Sequence, residues 1–337
     1  MSEPSILLAH GGGGRLSHDL IAREIVPRFG AGPLHGLPDA ARLPGSAQPW
    51  VFTTDSYVVQ PVEFPGGNIG DLAVHGTVND LAVCGGLPRW LSLGMILEEG
   101  LSLALLRRVL DSIVAAAAAC GVQVATGDTK VVPRGQCDKL YLNTAGLGEA
   151  LDGFTLGAER IQAGDALLAS GPLGDHGAAV LAAREHIVSA HTLRSDTGPV
   201  HRLVRDAQPF GGAVRFMRDP TRGGAAAVLN EVAEDHGLTI LLREQALAYS
   251  PGTRALCEML GLDPLHIASE GRLLLVCAPE AAEPLLELWR RRPEGQQAAV
   301  IGTVLAATEP GRVLMETLTG GRRLVDYPQG ELLPRIC

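Results

Sequence analysis

Short apolar and β-branched runs alternate with longer helical stretches along most of the chain. The alternation is interrupted once, by the Gly/Asp-rich passage 148–165. Such a pattern specifies α/β layers in which helices cover sheets. In the first half, SILLAH (5–10), WVFTTD (50–55), YVVQPV (57–62), WLSLGMILEE (90–99), VQVATGD (122–128) and KLYLNTAGLG (139–148) read as strands. Residues 15–29, 69–84 and 102–119 read as helices, the last closed by Gly121 just past its end. After 165 the pattern restarts. Strands are expected at 166–171, 214–219, 238–242, 272–278, 298–304 and 312–316, and helices at 176–186, 223–236 and 279–291. The last stretch, DYPQGELLPRIC (326–337), has two prolines and no period, so it reads as a tail.

Composition narrows the function classes. A length of 337 residues suggests two domains. The 28 basic residues face 37 acidic ones, which argues against non-specific nucleic-acid or anionic-membrane binding. Hydrophobic content of 46% supports a real core. No apolar run reaches the roughly 18 residues of a membrane helix, and MSEPSILLAH lacks a basic leader, so a cytoplasmic location is expected. The 42 glycines show no Gly-X-Y period and imply tight turns and close backbone approach to a ligand. Of 28 basic residues only Lys130 and Lys139 are lysine. The six cysteines include no C-x-x-C pair; Cys84, Cys120 and Cys277 read as core residues, while Cys337 ends the chain.

Asp55, Asp128 and Asp219 share a setting. Each follows an apolar run (VFTTD, VQVATGD, VRFMRD) and is expected at a strand end, where α/β proteins gather ligand groups. Asp also opens turns after strands, so each alone has that plainer reading. Together they point to a divalent cation, with magnesium held by carboxylates and phosphate oxygens as the natural candidate. Asp80 joins them, because helical spacing puts it on one stripe with Ile69, Leu72, Ala73, Gly76 and Val83. A carboxylate on a packed face needs a metal or an arginine.

HGGGG (10–14), PGGNIG (65–70) and RGG (222–224) each precede an expected helix, which suits phosphate binding at helix N-termini. Flexible turns are the plainer reading, and none is a Walker A loop. Lys130, in TGDTK, would neutralise charge in phosphoryl transfer. Glu270, in ASEGRLLL, is a candidate general base. His10 and His176 sit beside glycine turns, without zinc spacing. The α-carboxylate of Cys337 would raise its thiol pKa, partly offset by Arg335. From Pro328 the tail could reach about 30 Å.

Taken together, these motifs resemble the HypE family of nickel–iron hydrogenase maturation factors. The matching stretches are HGGGG, TTDSYVVQPVEFPGGNIGDLAVHGTVNDLAVCG (53–85), TGDTKVV (126–132), GPLGDHGAAVLAARE (171–185), MRDPTRGGAAAVLNEVAE (217–234), ASEG (268–271) and the terminal PRIC (334–337). The last is the most specific, since related families share the ATP-binding core without the terminal cysteine. A wider similarity runs to aminoimidazole ribonucleotide synthetase, selenophosphate synthetase and thiamine-monophosphate kinase. It implies a two-domain α/β (α+β) fold. Residues 1–40 would carry the glycine loop and 41–150 the ATP-binding domain, whose sheet pairs with its twin in a barrel-like homodimer. Residues 151–316 would form a second α/β domain and 317–337 a mobile tail.

The resemblance further implies ATP and Mg2+ as cofactors, with Asp55, Asp80, Asp128 and Asp219 at magnesium–phosphate positions. His10, Gly11, Gly12, Gly13, Gly14, Asn68, Asn79, Thr221 and Arg222 would bind nucleotide. Lys130 and Glu270 would flank the reacting tail, with Cys337 as covalent carrier. The implied chemistry is ATP-dependent dehydration of an S-carbamoyl group on Cys337 to a thiocyanate, supplying cyanide for hydrogenase iron. The implied partners are a HypF-like carbamoyltransferase and an iron-carrying HypC–HypD-like scaffold, with no nucleic acid and no membrane. Two other readings stand beside it. One is a superfamily enzyme acting on a free small molecule, marked by a pocket independent of Cys337. The other is a non-catalytic nucleotide-binding scaffold, marked by the absence of turnover.

Overall fold

The computed structural model describes residues 5–7, 10, 15–29, 43–187, 193–306, 311–327 and 336–337. The first half builds β1 (Trp50–Tyr57), α1 (Ile69–Val83), β2 (Gly86–Glu98), α2 (Leu103–Cys120), β3 (Gln123–Val132) and β4 (Leu140–Ala150). The strands form one four-stranded sheet in the order β1-β4-β2-β3. Only the β2–β3 pair is parallel, and α2 supplies its crossover. α2 starts on a Ser102 side-chain cap and stops at Gly121, whose φ of +71° makes a left-handed end.

The two helices cover one face of this sheet. Leu72, Val78, Leu106, Leu110 and Ile113 pack there with Leu91, Leu93 and Leu142. α1 is buried nearly all round, including Thr77 and Asn79, because it lies between its own sheet, α2 and the second half of the chain. The other face is open. It carries Trp50, Phe52 and Ile96 at 39%, 68% and 42% exposure. Among the described residues the sheet does not close on itself: β1 and β3 remain edges, so no barrel exists within one chain.

The second half adds β5 (Ala166–Ala169), α3 (Asp175–Arg184), α4 (His201–Ala207), β6 (Val214–Arg218), α5 (Gly224–Asp235), β7 (Thr239–Arg243), α6 (Pro251–Leu260), β8 (Leu274–Cys277), α7 (Pro279–Trp289), β9 (Ala299–Leu305), β10 (Arg312–Glu316) and β11 (Arg322–Leu324). Its sheet runs β11-β10-β7-β9-β5-β8-β6. α1 packs on α4 and β6, and its Ala82 and Val83 join the core around β5 and β8; that seam holds the candidate site.

Several elements differ from expectation. The described residues of SILLAH form no strand: Ser5 makes an isolated bridge with Ser102, and Ile6 exchanges backbone hydrogen bonds with Leu101 and Gly100, while residues 8–9 lie outside the described residues. YVVQPV leaves the sheet after Tyr57, where Pro61 has no N–H to donate. α4, α6 and β11 are additional elements. Cys120 and Cys277 are buried as expected, but Cys84 is exposed, because it caps the C-terminus of α1.

Candidate active site at the seam

Three loops of the second half converge on the end of α1. The first is Asp219–Gly224, between β6 and α5. The Thr221 N–H donates to the Asp219 carbonyl at 3.1 Å. Gly223 and Gly224 then turn the chain with φ of +76° and +63°, and a Cβ at Gly224 would collide with the Leu265 carbonyl. Only glycine suits both demands. The second loop carries Glu270. The Ser269 N–H donates to the Pro220 carbonyl at 2.9 Å, which sets Glu270 beside Asp219. The third loop is 195–200. Its Asp196 Oδ1 accepts the Glu270 N–H at 3.0 Å. A Cβ on Gly271 would overlap the Asp196 carbonyl, so that position also needs glycine.

Asn79 of α1 ties these loops to the first half. Its Nδ2 donates to the Gly198 carbonyl (3.0 Å) and the Glu270 carbonyl (3.2 Å), while its Oδ1 accepts the Val200 N–H at 2.8 Å. This fully buried amide is therefore a fastener between the halves.

Asp55, Asp80, Asp196, Asp219 and Glu270 share the seam. Asp80 accepts a hydrogen bond from Thr53 Oγ1 at 3.0 Å, not the arginine that the sequence left open. Burial raises its pKa, the Thr53 bond opposes that, and Asp55 adds to the rise. Asp219 is pushed up to about 7, first by burial and then by Asp80, with a smaller push from Asp55. Glu270 is raised well above the ordinary range by burial, then by Asp219, Asp196, Asp55 and Asp80. Its Oε1 is buried with no hydrogen-bond partner. Crowded carboxyls of this kind favour either a proton or a cation between them. Among the described residues no three such side chains stand close enough to hold a metal alone.

The chain end lies in the same place. The Val58 N–H donates to the Cys337 carbonyl oxygen at 3.2 Å. His176 Nε2 meets the Ile336 carbonyl at 2.7 Å, and Ile336 is buried among the core residues of the first half. The Cys337 thiol pKa is raised by burial and by Glu270, against the pull of Arg222. The expected influence of Arg335 falls outside the described residues, as do Gly11, Gly12, Gly13 and Gly14. The terminus of a tail expected to be mobile is thus docked.

Other expected residues lie elsewhere. Asp55 and Asp128 are not at strand ends: each lies inside its strand. Asp55 pairs with Thr144, Thr144 with Leu93, and Leu93 with Gly127. Partners across a sheet share a face, so Asp55 and Gly127 point to the helix side and Asp128 to the open side. Lys130 follows Asp128 onto the open face, three strand spacings or about 14 Å from β1. There it forms a 3.2 Å ion pair with Asp128, both side chains about two-thirds exposed. Within one chain, Asp128 and Lys130 thus lie on the face opposite Asp55, where they share a cavity with Ser56, Val58 and Tyr141. The Asn68 side chain caps α1 through Gly70 N–H (2.7 Å) and holds Ser112 Oγ (2.6 Å), so its amide is already engaged. His10 accepts the Leu7 N–H at 2.9 Å and sits with the segment bound to the 98–102 turn.

Ser195, Asp196, Thr53 and Val58 were not foreseen. The only sequence trace of the first two is the turn-rich cluster SDTGP (195–199), which signals a loop and nothing about what it touches.

Comparison with known proteins agrees with this geometry. Family models of the AIR synthase related proteins match both halves, the N-terminal domain at residues 38–150 and the C-terminal domain at 162–314. Carbamoyl dehydratase HypE of Bradyrhizobium diazoefficiens is 47% identical over 98% of this chain and 95% of its own. A crystal structure of the hydrogenase maturation protein HypE in complex with ATP superposes with a TM-score of 0.94 at 45% identity, covering 98% of this chain and 99% of that one. The structure of a HypE–HypF complex matches at a TM-score of 0.80 and 37% identity, over 94% of this chain and 100% of that one. Near-complete coverage in both directions, with the docked terminal cysteine, leaves one conclusion: the chain belongs to the HypE family of carbamoyl dehydratases, the enzymes of hydrogenase maturation.

Proposed function

We propose that this chain dehydrates a carbamoyl group carried on its own Cys337, with ATP as the water acceptor. The observation that carries the reading is the docked end: Cys337 lies beside Glu270, with its terminal carbonyl on Val58 and the preceding carbonyl on His176. The substrate is R–S–C(=O)–NH2. Its oxygen bonds to the γ-phosphorus as the bond to ADP breaks. Loss of two protons from nitrogen and of phosphate from carbon leaves R–S–C≡N, ADP and phosphate. Glu270 is the base: its buried Oε1 is engaged by no hydrogen bond, which leaves that oxygen available to a proton leaving nitrogen. Arg222 offsets negative charge near the sulfur.

Magnesium would be held by Asp55, Asp80 and Asp219, whose mutual repulsion a cation relieves, and would neutralise phosphate charge. Thr221 and the Gly223–Gly224 turn at the start of α5 suit phosphate oxygens, while Asn79 fixes the frame. Asp128 and Lys130 act on a site completed by a second copy, packed on the open face through Trp50, Phe52 and Ile96; the barrel-like dimer would arise there. The HypE–HypF neighbour supports a HypF-like carbamoyl donor, and release of cyanide calls for an iron-carrying HypC–HypD-like acceptor.

The test is the mass of the C-terminal peptide after incubation with carbamoyl donor, transferase and MgATP. The expected result is a carbamoyl adduct without ATP and a cyano adduct with it, both absent in Cys337→Ala. An adduct on Cys84, Cys120, Cys137, Cys257 or Cys277 with Cys337 unmodified would overturn the reading. Turnover of a free small molecule by Cys337→Ala would favour the small-molecule alternative.

A further inference from the structure

His176 is fully buried at the start of α3, and both of its ring nitrogens are engaged. Nε2 faces the Ile336 carbonyl at 2.7 Å. A carbonyl only accepts, so Nε2 carries the hydrogen. In the neutral ring Nδ1 is then an acceptor, and Ser195 Oγ, 2.8 Å away, donates to it. Ser195 Oγ in turn accepts the Thr197 N–H at 3.0 Å. The relay therefore has one direction, from Thr197 through Ser195 and His176 to the tail. Burial holds the His176 pKa at about 4, which keeps the ring neutral. Phe64 fixes the ring plane by an edge contact with centroids 5.3 Å apart.

The Ser195 end of this relay is equally constrained. The Ser195 N–H donates to the Pro65 carbonyl at 2.7 Å. Gly66, at φ +107°, lies so close beneath it that a Cβ would meet the Ser195 nitrogen at 2.8 Å. The next residue, Asp196, holds the Glu270 N–H. One short loop therefore carries both the support of the tail contact and the support of the base.

Resting on the carrier reading above, we infer that His176 is the tail-positioning residue of this enzyme. It reads the penultimate carbonyl, Ser195 sets its tautomer, and Val58 N–H receives the terminal residue. The pair of contacts fixes how far the chain end enters, so the sulfur stops at Glu270. Recognition is of the backbone one residue before the cysteine, which leaves the thiol and any group on it free.

The experiment uses the full-length protein with His176→Ala, His176→Gln and Ser195→Ala. Its first readout is the rate at which iodoacetamide alkylates Cys337 without ATP, read by mass spectrometry of the C-terminal peptide, with exposed Cys84 as internal control. Loss of a buried hydrogen bond predicts about tenfold faster alkylation in His176→Ala and a smaller rise in Ser195→Ala. His176→Gln, whose amide can still donate to Ile336, should remain within about threefold of wild type, while Cys84 is unchanged throughout. The second readout is single-turnover dehydration at saturating MgATP. It should fall in His176→Ala, recover in His176→Gln, and leave MgATP affinity alone. Wild-type alkylation in His176→Ala overturns the proposal, and so does His176→Gln behaving like His176→Ala. If His176→Ala does not fold, His176→Gln and Ser195→Ala still decide: a rise in the first together with none in the second sinks the relay. A persistent alkylation difference in a protein whose Cys337 takes no carbamoyl group upholds the positioning role and removes the carrier reading instead.

Discussion

The seam and the open sheet face both carry motif carboxylates, but in opposite physical settings. At the seam, burial raises the pKa values of Asp80, Asp219 and Glu270; Asp80 pushes Asp219 further up, and both push Glu270. On the open face Asp128 is solvated and paired with Lys130. The first arrangement is costly without a ligand, whereas the second is a surface ion pair worth little to stability. On the proposed reading a single chain would then hold the base and the carrier but only part of the phosphate site. The rest would depend on a second copy over the exposed Trp50, Phe52 and Ile96.

The largest effect expected from separating the regions is on turnover. Glu270→Gln keeps the shape and removes the base. Conversion of the carbamoylated tail to thiocyanate should drop by about 10²–10⁴, with MgATP affinity nearly unchanged. Rapid-quench mass spectrometry of the tail measures this directly. A normal rate would move the base elsewhere in the seam.

Nucleotide affinity tests the comparison itself. Asp80→Asn and Asp219→Asn should weaken MgATP by about 10–100-fold, the usual range for losing a charged contact. Asp128→Asn should do so only where a second copy is present. Phe52→Asp, which charges the apolar open face, should then reproduce the Asp128 effect while leaving the tail docked. Calorimetry paired with light scattering separates these cases. An Asp128→Asn loss that persists in a proven monomer would show that the open face acts within one chain.

How much of this was legible follows from one register. The helix over 102–119 was readable because its alanines and Gly121 are local signals, and the β2 run was readable from its apolar length. The equivalence of Asp55 and Asp128 was not readable. Between β2 and β3 the pairing slips at Leu91/Ser92: Leu91 faces Val124 and Ser92 faces Thr126, so Ala125 is extra. Without that slip Asp128 would oppose Met95 on the helix side, together with Asp55. One inserted residue turns every later side chain of β3 to the other face. The motif TGD looks the same in either register, so the sequence grouped four aspartates where the chain assembles three. The tail shows the same limit. PRIC announced a carrier, but its docking partners, His176 and Val58, lie 160 or more residues away and share no pattern with it.

Acid should distinguish the seam in a second way. His176 has a pKa of about 4 in the fold, against an ordinary 6.5, because burial disfavours its charged form. The unfolded chain therefore binds a proton in this window that the folded chain refuses. The stability tied to neutral His176 is complete above pH 6.5 and is lost as pH falls toward 4. Relative to His176→Gln, which does not titrate, the wild type should lose about 2 kcal/mol between pH 7 and pH 5. Urea unfolding of both proteins at the two pH values measures the difference. A constant gap would mean that His176 takes up its proton as readily in the fold as in the unfolded chain.

The smallest effect belongs to the open face. Lys130 and Asp128 meet at 3.2 Å with both side chains about two-thirds exposed, so solvent screens the pair. Lys130→Met should change the unfolding free energy by less than about 1 kcal/mol. No buried group loses a partner, since Asp128 also accepts the Thr129 N–H at 2.9 Å. The same substitution should nonetheless slow dehydration in the dimer, because its cation would be missing where phosphate charge develops. The two measurements pull apart what a structural and a chemical role would each require. A large stability loss with proportional loss of activity would make Lys130 a fold residue. Unchanged stability with impaired turnover would make the open face half of an active site that one chain cannot complete.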